Sequence, residues 1–251
     1  MEIAEVFAQY MEHVFIGKRC ESRELIQAAL DRGICAQKLV KLVLWPAMEQ
    51  TEKLFRAGKI TRLVEHMATR IHRTMADQLQ AHMARKPRHG MRLLVLCGAG
   101  EAEELGAQMT ADLFEAEGWT VYFLGSGVPN DEVVHLLSKV KPDVLCVFGS
   151  GPQDVPELRR LIDMIRDIGA HDQMQVVMSG GVFNRAPGLA EEIRADLFAT
   201  DAKESLKVVM EHPVRVARPD LPQPGRRRKG KRAGAAGRQR KPRRRVASAA
   251  S

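Results

Sequence analysis

Near residue 88 the hydrophobic period of this 251-residue chain changes, and few folds accommodate both halves. Over residues 3–85 apolar side chains recur at helical spacing, as at Leu63, Met67, Ile71, Met75 and Leu79. Four helices are predicted, at about 2–15, 22–32, 36–57 and 61–85, with breaks at Gly17, Gly33 and Ala57-Gly58-Lys59 and an N-cap at Thr61. Short loops favour a four-helix bundle for residues 1–86. After a polar linker, 86–90, near-continuous apolar runs appear at 91–97, 120–124, 144–148, 175–178 and 196–199. Such runs suit strands buried on both faces. The amphipathic stretches between them, at about 103–117, 130–140, 154–168 and 185–194, with a last helix at 201–211, predict an α/β fold over 91–212. Its centre is a doubly wound parallel five-stranded sheet with right-handed crossovers.

The net charge of +8 is unevenly placed. From Arg215 to Ser251 there are 14 Lys and Arg against Asp220 alone, a net +13, so residues 1–214 carry −5. Residues 213–251 hold almost no large apolar side chain and are expected to be disordered when free. The runs Arg226-Arg227-Arg228-Lys229 and Arg243-Arg244-Arg245 form an electrostatic footprint for nucleic acid. Without interleaved aromatics or a helix-turn-helix, that contact would be nonspecific and salt-sensitive. No apolar run reaches the roughly 20 residues of a membrane helix, and the N-terminus lacks a secretion signal. A cytoplasmic protein with no membrane contact is expected. Cys20, Cys35, Cys97 and Cys146 lack C-x-x-C spacing and read as reduced core residues.

In an open parallel sheet, ligands bind beyond the carboxyl ends of the strands. The first such loop, Gly98-Ala99-Gly100-Glu101-Ala102-Glu103-Glu104-Leu105-Gly106, has neither G-x-G-x-x-G spacing nor a P-loop Lys. Its three carboxylates would repel a pyrophosphate, which argues against a dinucleotide.

The stretch from Met91 to Met210 resembles the flavodoxin-like (Rossmann-like) cobalamin-binding domains of methionine synthase, corrinoid methyltransferase subunits and light-sensing MerR-type cobalamin repressors. Their first loop carries D-x-H-x-x-G, and Glu101-Ala102-Glu103-Glu104-Leu105-Gly106 aligns with it. The turn from Leu124-Gly125-Ser126 to Pro129, the pair Gly180-Gly181 and the stretch Ala195–Ala202 also agree. The resemblance implies that paired glycines let a nucleotide tail approach the backbone closely. It also implies that the loop His ligates cobalt from below, with the Asp as its partner. Glu103 and Glu101 stand at those places, and a carboxylate is a poor ligand for low-spin cobalt, so His-on binding through this loop is ruled out. The family's S-x-L, whose Ser contacts the lower base, is here Phe148-Gly149-Ser150.

The helical half matches independently. Helical caps of the light-sensing repressors carry a Trp and, ten residues later, a Glu-His pair over the upper face of the corrin. Phe55 falls at the Trp position and Glu65-His66 at the pair. His66 borders the apolar stripe and would point inward as the upper axial cobalt ligand. A solvated Glu beside a His satisfied in the bundle interface is the plainer alternative.

These residues imply a cobalamin-binding, or related tetrapyrrole-binding, sensor or regulator, photoreceptor-like, with the ligand between helical cap and sheet. No nucleophile, base and orienting group are arranged for catalysis, so the chain is not expected to be an enzyme. A methyl-carrying corrinoid subunit of a methyltransferase system is one alternative, and a cofactor-free scaffold with a nucleic-acid-binding tail another. A homo-oligomer or a protein partner is compatible with all three.

Overall fold

The computed structural model describes residues 2–98, 101–149, 151–169, 171–212 and 215, the side chains of residues 101–103 excepted. The basic runs at Arg226–Lys229 and Arg243–Arg245 and the loop residue Ser150 lie outside the described residues.

The first half is helical: α1 (Ile3–Phe15), α2 (Arg19–Asp31), a long helix in three parts, and α5 (Arg62–Ala81). α2 starts at Arg19, three residues before the expected start, so Ser22 lies inside the helix and its hydroxyl donates back to the Lys18 carbonyl at 2.7 Å. The long helix comprises α3 (Ala36–Leu39), a π-helical turn (Val40–Leu44) and α4 (Trp45–Arg56). A single α-helix over 36–57 was expected. Pro46 offers no N–H and its ring crowds the carbonyl one turn back, a conflict that a wider turn relieves. Thr61 caps α5 as predicted, its side chain accepting from the Val64 N–H. At the centre of the bundle the Tyr10 hydroxyl meets His72 Nδ1 at 2.9 Å and Thr51 Oγ1 lies 3.2 Å from Nε2, tying α1, α4 and α5 together.

The second half is a parallel sheet of β1 (Arg92–Cys97), β2 (Thr120–Gly125), β3 (Val144–Phe148), β4 (Gln175–Ser179) and β5 (Leu197–Ala199), in the order β2-β1-β3-β4-β5. Helices α6 (Glu101–Ala116), α7 (Asn130–Val140), α8 (Val155–Ile168), α9 (Gly181–Arg185), α10 (Leu189–Glu192) and α11 (Ala202–Glu211) complete it. The helix expected over 185–194 is split into α9 and α10, because Gly188 has φ +89° directly after Pro187.

Strand residues alternate between two cores, as the pleat requires. Leu94, Leu96, Leu145 and Val147 pack with Val133, Leu137, Leu158 and Ile162 of α7 and α8. Leu93, Val95, Cys97, Cys146 and Phe148 face the other way, in one continuous core with Tyr10, Trp45 and Leu79 of the bundle. The helical half is thus fused to one face of the sheet.

Two expectations need correction. Cys97 and Cys146 are buried core thiols, burial pushing Cys146 up to about 12, but Cys20 and Cys35 are exposed. Arg215, expected in the free tail, is anchored: its Nε donates to Asp196 at 2.9 Å and its Nη1 to the Asp172 carbonyl.

Candidate functional site

The order of the sheet reverses between β1 and β3, which gathers the loops after β1, β2, β3 and β4 at one edge. On that rim Glu104 is the hub. Arg73 of α5 stands 3.4 Å from one carboxylate oxygen, and the Ser126 hydroxyl, just after β2, donates to the other at 3.4 Å. Lower down, Gln108 of α6 donates to Asp77 of α5 at 2.7 Å. The two helices therefore run side by side, and the N-terminal turns of α5 overhang the strand ends.

His66 lies on this overhang, sharing one α5 face with Arg70, Arg73 and Asp77 at spacings of four, three and four residues. It is two turns, about 10 Å, beyond Arg73 along the axis. It does not turn into the bundle, as its nearness to Leu63 suggested; Leu63 is itself 69% exposed. The His66 side chain is half-exposed, with Nε2 3.6 Å from a Glu65 oxygen, while the other Glu65 oxygen accepts from the Thr69 hydroxyl at 3.3 Å. Phe55 is half-buried, and the Arg62 guanidinium stands 5.7 Å from its ring centroid, a cation–π contact on a face expected to meet the ligand.

The glycines separate into two roles. Gly180 has φ +103°, and a Cβ there would lie 2.4 Å from the Gly149 carbonyl oxygen, so this glycine serves backbone packing between the loops after β3 and β4. Gly181 opens α9, near the Arg185 guanidinium and the Glu52 carboxylate of α4. Gly106 faces side chains instead: a Cβ there would be 3.6 Å from Trp45 Cη2, 3.7 Å from Met48 Cε and 3.8 Å from Phe148 Cδ1. Phe148 is buried at the end of β3. The side chains of Glu101 and Glu103 lie outside the described residues, and α6 already includes both positions.

Sequence reasoning missed Trp45, Met48 and Glu104. Trp45-Pro46 was the available signal, since a proline at the start of α4 announces the π turn that aims the indole. The Trp45 N–H is buried without a hydrogen bond of good geometry, yet it still favours the charged form of Glu49. Against that, partial burial first, then the Asp201 and Glu52 carboxylates, raise the Glu49 pKa above its ordinary value. On the opposite face a half-open cavity of about 760 Å³ lies between α7 and α8, lined by Leu96, Val128, Val133, Asp154 and Leu161.

A helical part packed on one face of a parallel sheet, with the start of its last helix reaching past the strand ends, is the architecture of a two-part ligand-holding protein. Residues 91–209 match the B12 binding domain, and residues 6–80 match a second B12 binding domain found in the helical part. The chain belongs to this cobalamin-binding domain family, and cobalamin is the cofactor of its domains. Among its relatives, Monomethylamine corrinoid protein 2 of Methanosarcina acetivorans is 23% identical over 215 residues, 84% of this chain and 98% of that protein. Monomethylamine corrinoid protein 2 of Methanosarcina barkeri is 22% identical, over 84% of this chain and 99% of its own length. The structure of the Methanosarcina barkeri monomethylamine corrinoid protein superposes with a TM-score of 0.72 at 22% identity, covering 84% of this chain and 99% of that one, and shares the fold.

The residues present fit part of such a cofactor. Among the described residues no group of three His, Cys, Asp or Glu could hold a metal ion. The rim offers the Arg73 guanidinium as donor and the Ser126 oxygen and Glu104 carboxylate as acceptors for amide side chains of a corrin. The space beside Gly106 does not fit a nucleotide base, because Trp45, Met48 and Phe148 already fill it.

Proposed function

We propose that this protein is the corrinoid-carrying member of a methyl-transfer system that takes methyl groups from a small methylated amine. The observation that carries the reading is the alignment along 98% of Monomethylamine corrinoid protein 2, helical part and sheet part in the same order. Bound cobalt would supply the reactive centre that receives and surrenders the methyl group. This chain would supply the rest: Arg73, Glu104 and Ser126 hold the macrocycle edge, while the α5 overhang with Glu65 and His66 covers its upper side and limits water. The transfers themselves are assigned in this reading to partner proteins. The sensor reading ranks below this one, because the relatives that align over nearly their whole length carry the name of corrinoid proteins.

The test loads purified full-length protein with hydroxocobalamin, removes the excess and measures retained corrinoid. One corrinoid per chain is expected, and after reduction the loaded protein should take radiolabelled methyl from iodomethane in matching amount. A protein that retains no corrinoid, or retains it without taking the label, overturns the proposal.

A further inference from the structure

We propose that this chain holds its corrinoid with the nucleotide kept out of the sheet, because Trp45 occupies the place beside Gly106 that the base would need. The inference rests on the corrinoid reading above and concerns how that ligand is seated. The π turn over Val40–Leu44 comes directly before Trp45, and one residue more per turn rotates all that follows by about 100° relative to an uninterrupted α-helix. The indole thereby meets the sheet: it is 8% exposed, and its Cη2 is in van der Waals range of a Cβ built at Gly106. Met48, one turn on, and Phe148 close the same space. Of the paired glycines, Gly180 is likewise taken up by packing on the main chain of Gly149, which leaves only Gly181 facing side-chain ends.

The filled space agrees with a separate feature of the sequence. Glu103 stands where the resembling domains place the His that takes the base's position on cobalt. A protein that does not displace the base has no need of a slot to receive it. The two departures, one on the first sheet loop and one on the cap, therefore account for each other. The consequence for recognition is that affinity comes from the macrocycle and its amide side chains, with the nucleotide contributing little.

The test titrates the full-length protein with aquocobinamide, which lacks the nucleotide, and with hydroxocobalamin, following visible absorption and tryptophan quenching. Wild type should bind the two within about threefold of each other, and Trp45→Ala, which opens the space beside Gly106, should favour cobalamin by about tenfold or more. Trp45→Phe and Met48→Ala are gentler variants that shift the ratio in the same direction should Trp45→Ala fail to fold. A wild-type preference for hydroxocobalamin of tenfold or more overturns this inference and leaves the carrier reading standing. Failure to bind either corrinoid overturns both.

Discussion

The Arg73 guanidinium of the helical cap and the Glu104 carboxylate of the sheet's first crossover helix stand 3.4 Å apart, and the second Glu104 oxygen takes the Ser126 hydroxyl. With a quarter and a third of the two side chains exposed, the pair contributes about 1 kcal/mol or less to stability. Glu104→Gln should accordingly lower Tm by no more than about 3 °C. Its effect on the ligand should be larger, because it loosens the cap over the strand ends: hydroxocobalamin affinity is expected to fall roughly five- to tenfold. Titration beside a thermal melt separates the two, and a large loss of Tm with unchanged affinity would make the pair a stability device alone.

His72 makes the fold sensitive to acid. Burial lowers its pKa from 6.5 to about 3, so the folded chain keeps it neutral between Tyr10 and Thr51. The unfolded chain takes up a proton below pH 6.5, and the stability associated with neutral His72 is lost as pH falls from there toward 3. Each pH unit costs about 1.4 kcal/mol, roughly 2 kcal/mol between pH 6.5 and 5. Guanidinium unfolding at those two values should show this loss in wild type and a flatter profile in His72→Gln. Equal slopes would place the acid sensitivity elsewhere.

Asp112 on α6 acts with the opposite sign. Burial first, then the Glu115 and Asp77 carboxylates, raise its pKa from 3.8 to about 7, with Arg85 opposing. The unfolded chain releases this proton near pH 4 and the folded chain only near 7. Stability therefore falls as pH rises across that window, by at most about 1.4 kcal/mol per unit. Asp112→Asn should be more stable than wild type at pH 8 and indistinguishable from it near pH 4. Because Asp77 and Arg85 come from the α5 side of the seam, the wild-type cap should loosen first at alkaline pH, which hydrogen exchange of α5 amides would show.

How far the sequence reveals this protein depends on what each residue must satisfy. Runs such as Leu93–Cys97 admit little but a strand buried on both faces, so the parallel sheet and its helices could be read directly. Thr61 likewise declared the start of α5 through its hydroxyl. The site was less legible because its key side chains depend on rotation as well as position. Trp45 at helical spacing looks like any core aromatic, and only the π turn before Pro46 brings it to Gly106. Glu104 sat unnoticed among three carboxylates, since nothing local signals an arginine 31 residues earlier. Cys20 and Cys35 were placed in the core by residue type, although their helix and loop positions leave them in solvent.

His66 supplies the last prediction. Among the described residues it is the imidazole on the α5 face that overhangs the strand ends, whereas His72 is enclosed by Tyr10 and Thr51 and His82 bonds the Gln78 carbonyl. The Glu65 carboxylate, which accepts from the Thr69 hydroxyl, lies 3.6 Å from Nε2 of His66, and we expect this imidazole to meet cobalt from above, with Glu65 as its neighbour. The hydroxocobalamin-loaded protein should then show visible bands displaced from those of the free cofactor. His66→Ala should lose the displacement while still retaining corrinoid, because the proposed contacts of Arg73, Glu104 and Ser126 with the macrocycle edge remain. Glu65→Gln should weaken the displacement without abolishing it, as loss of an orienting partner does. An unchanged spectrum in His66→Ala would remove this histidine from the coordination sphere and leave the upper face open to partner proteins.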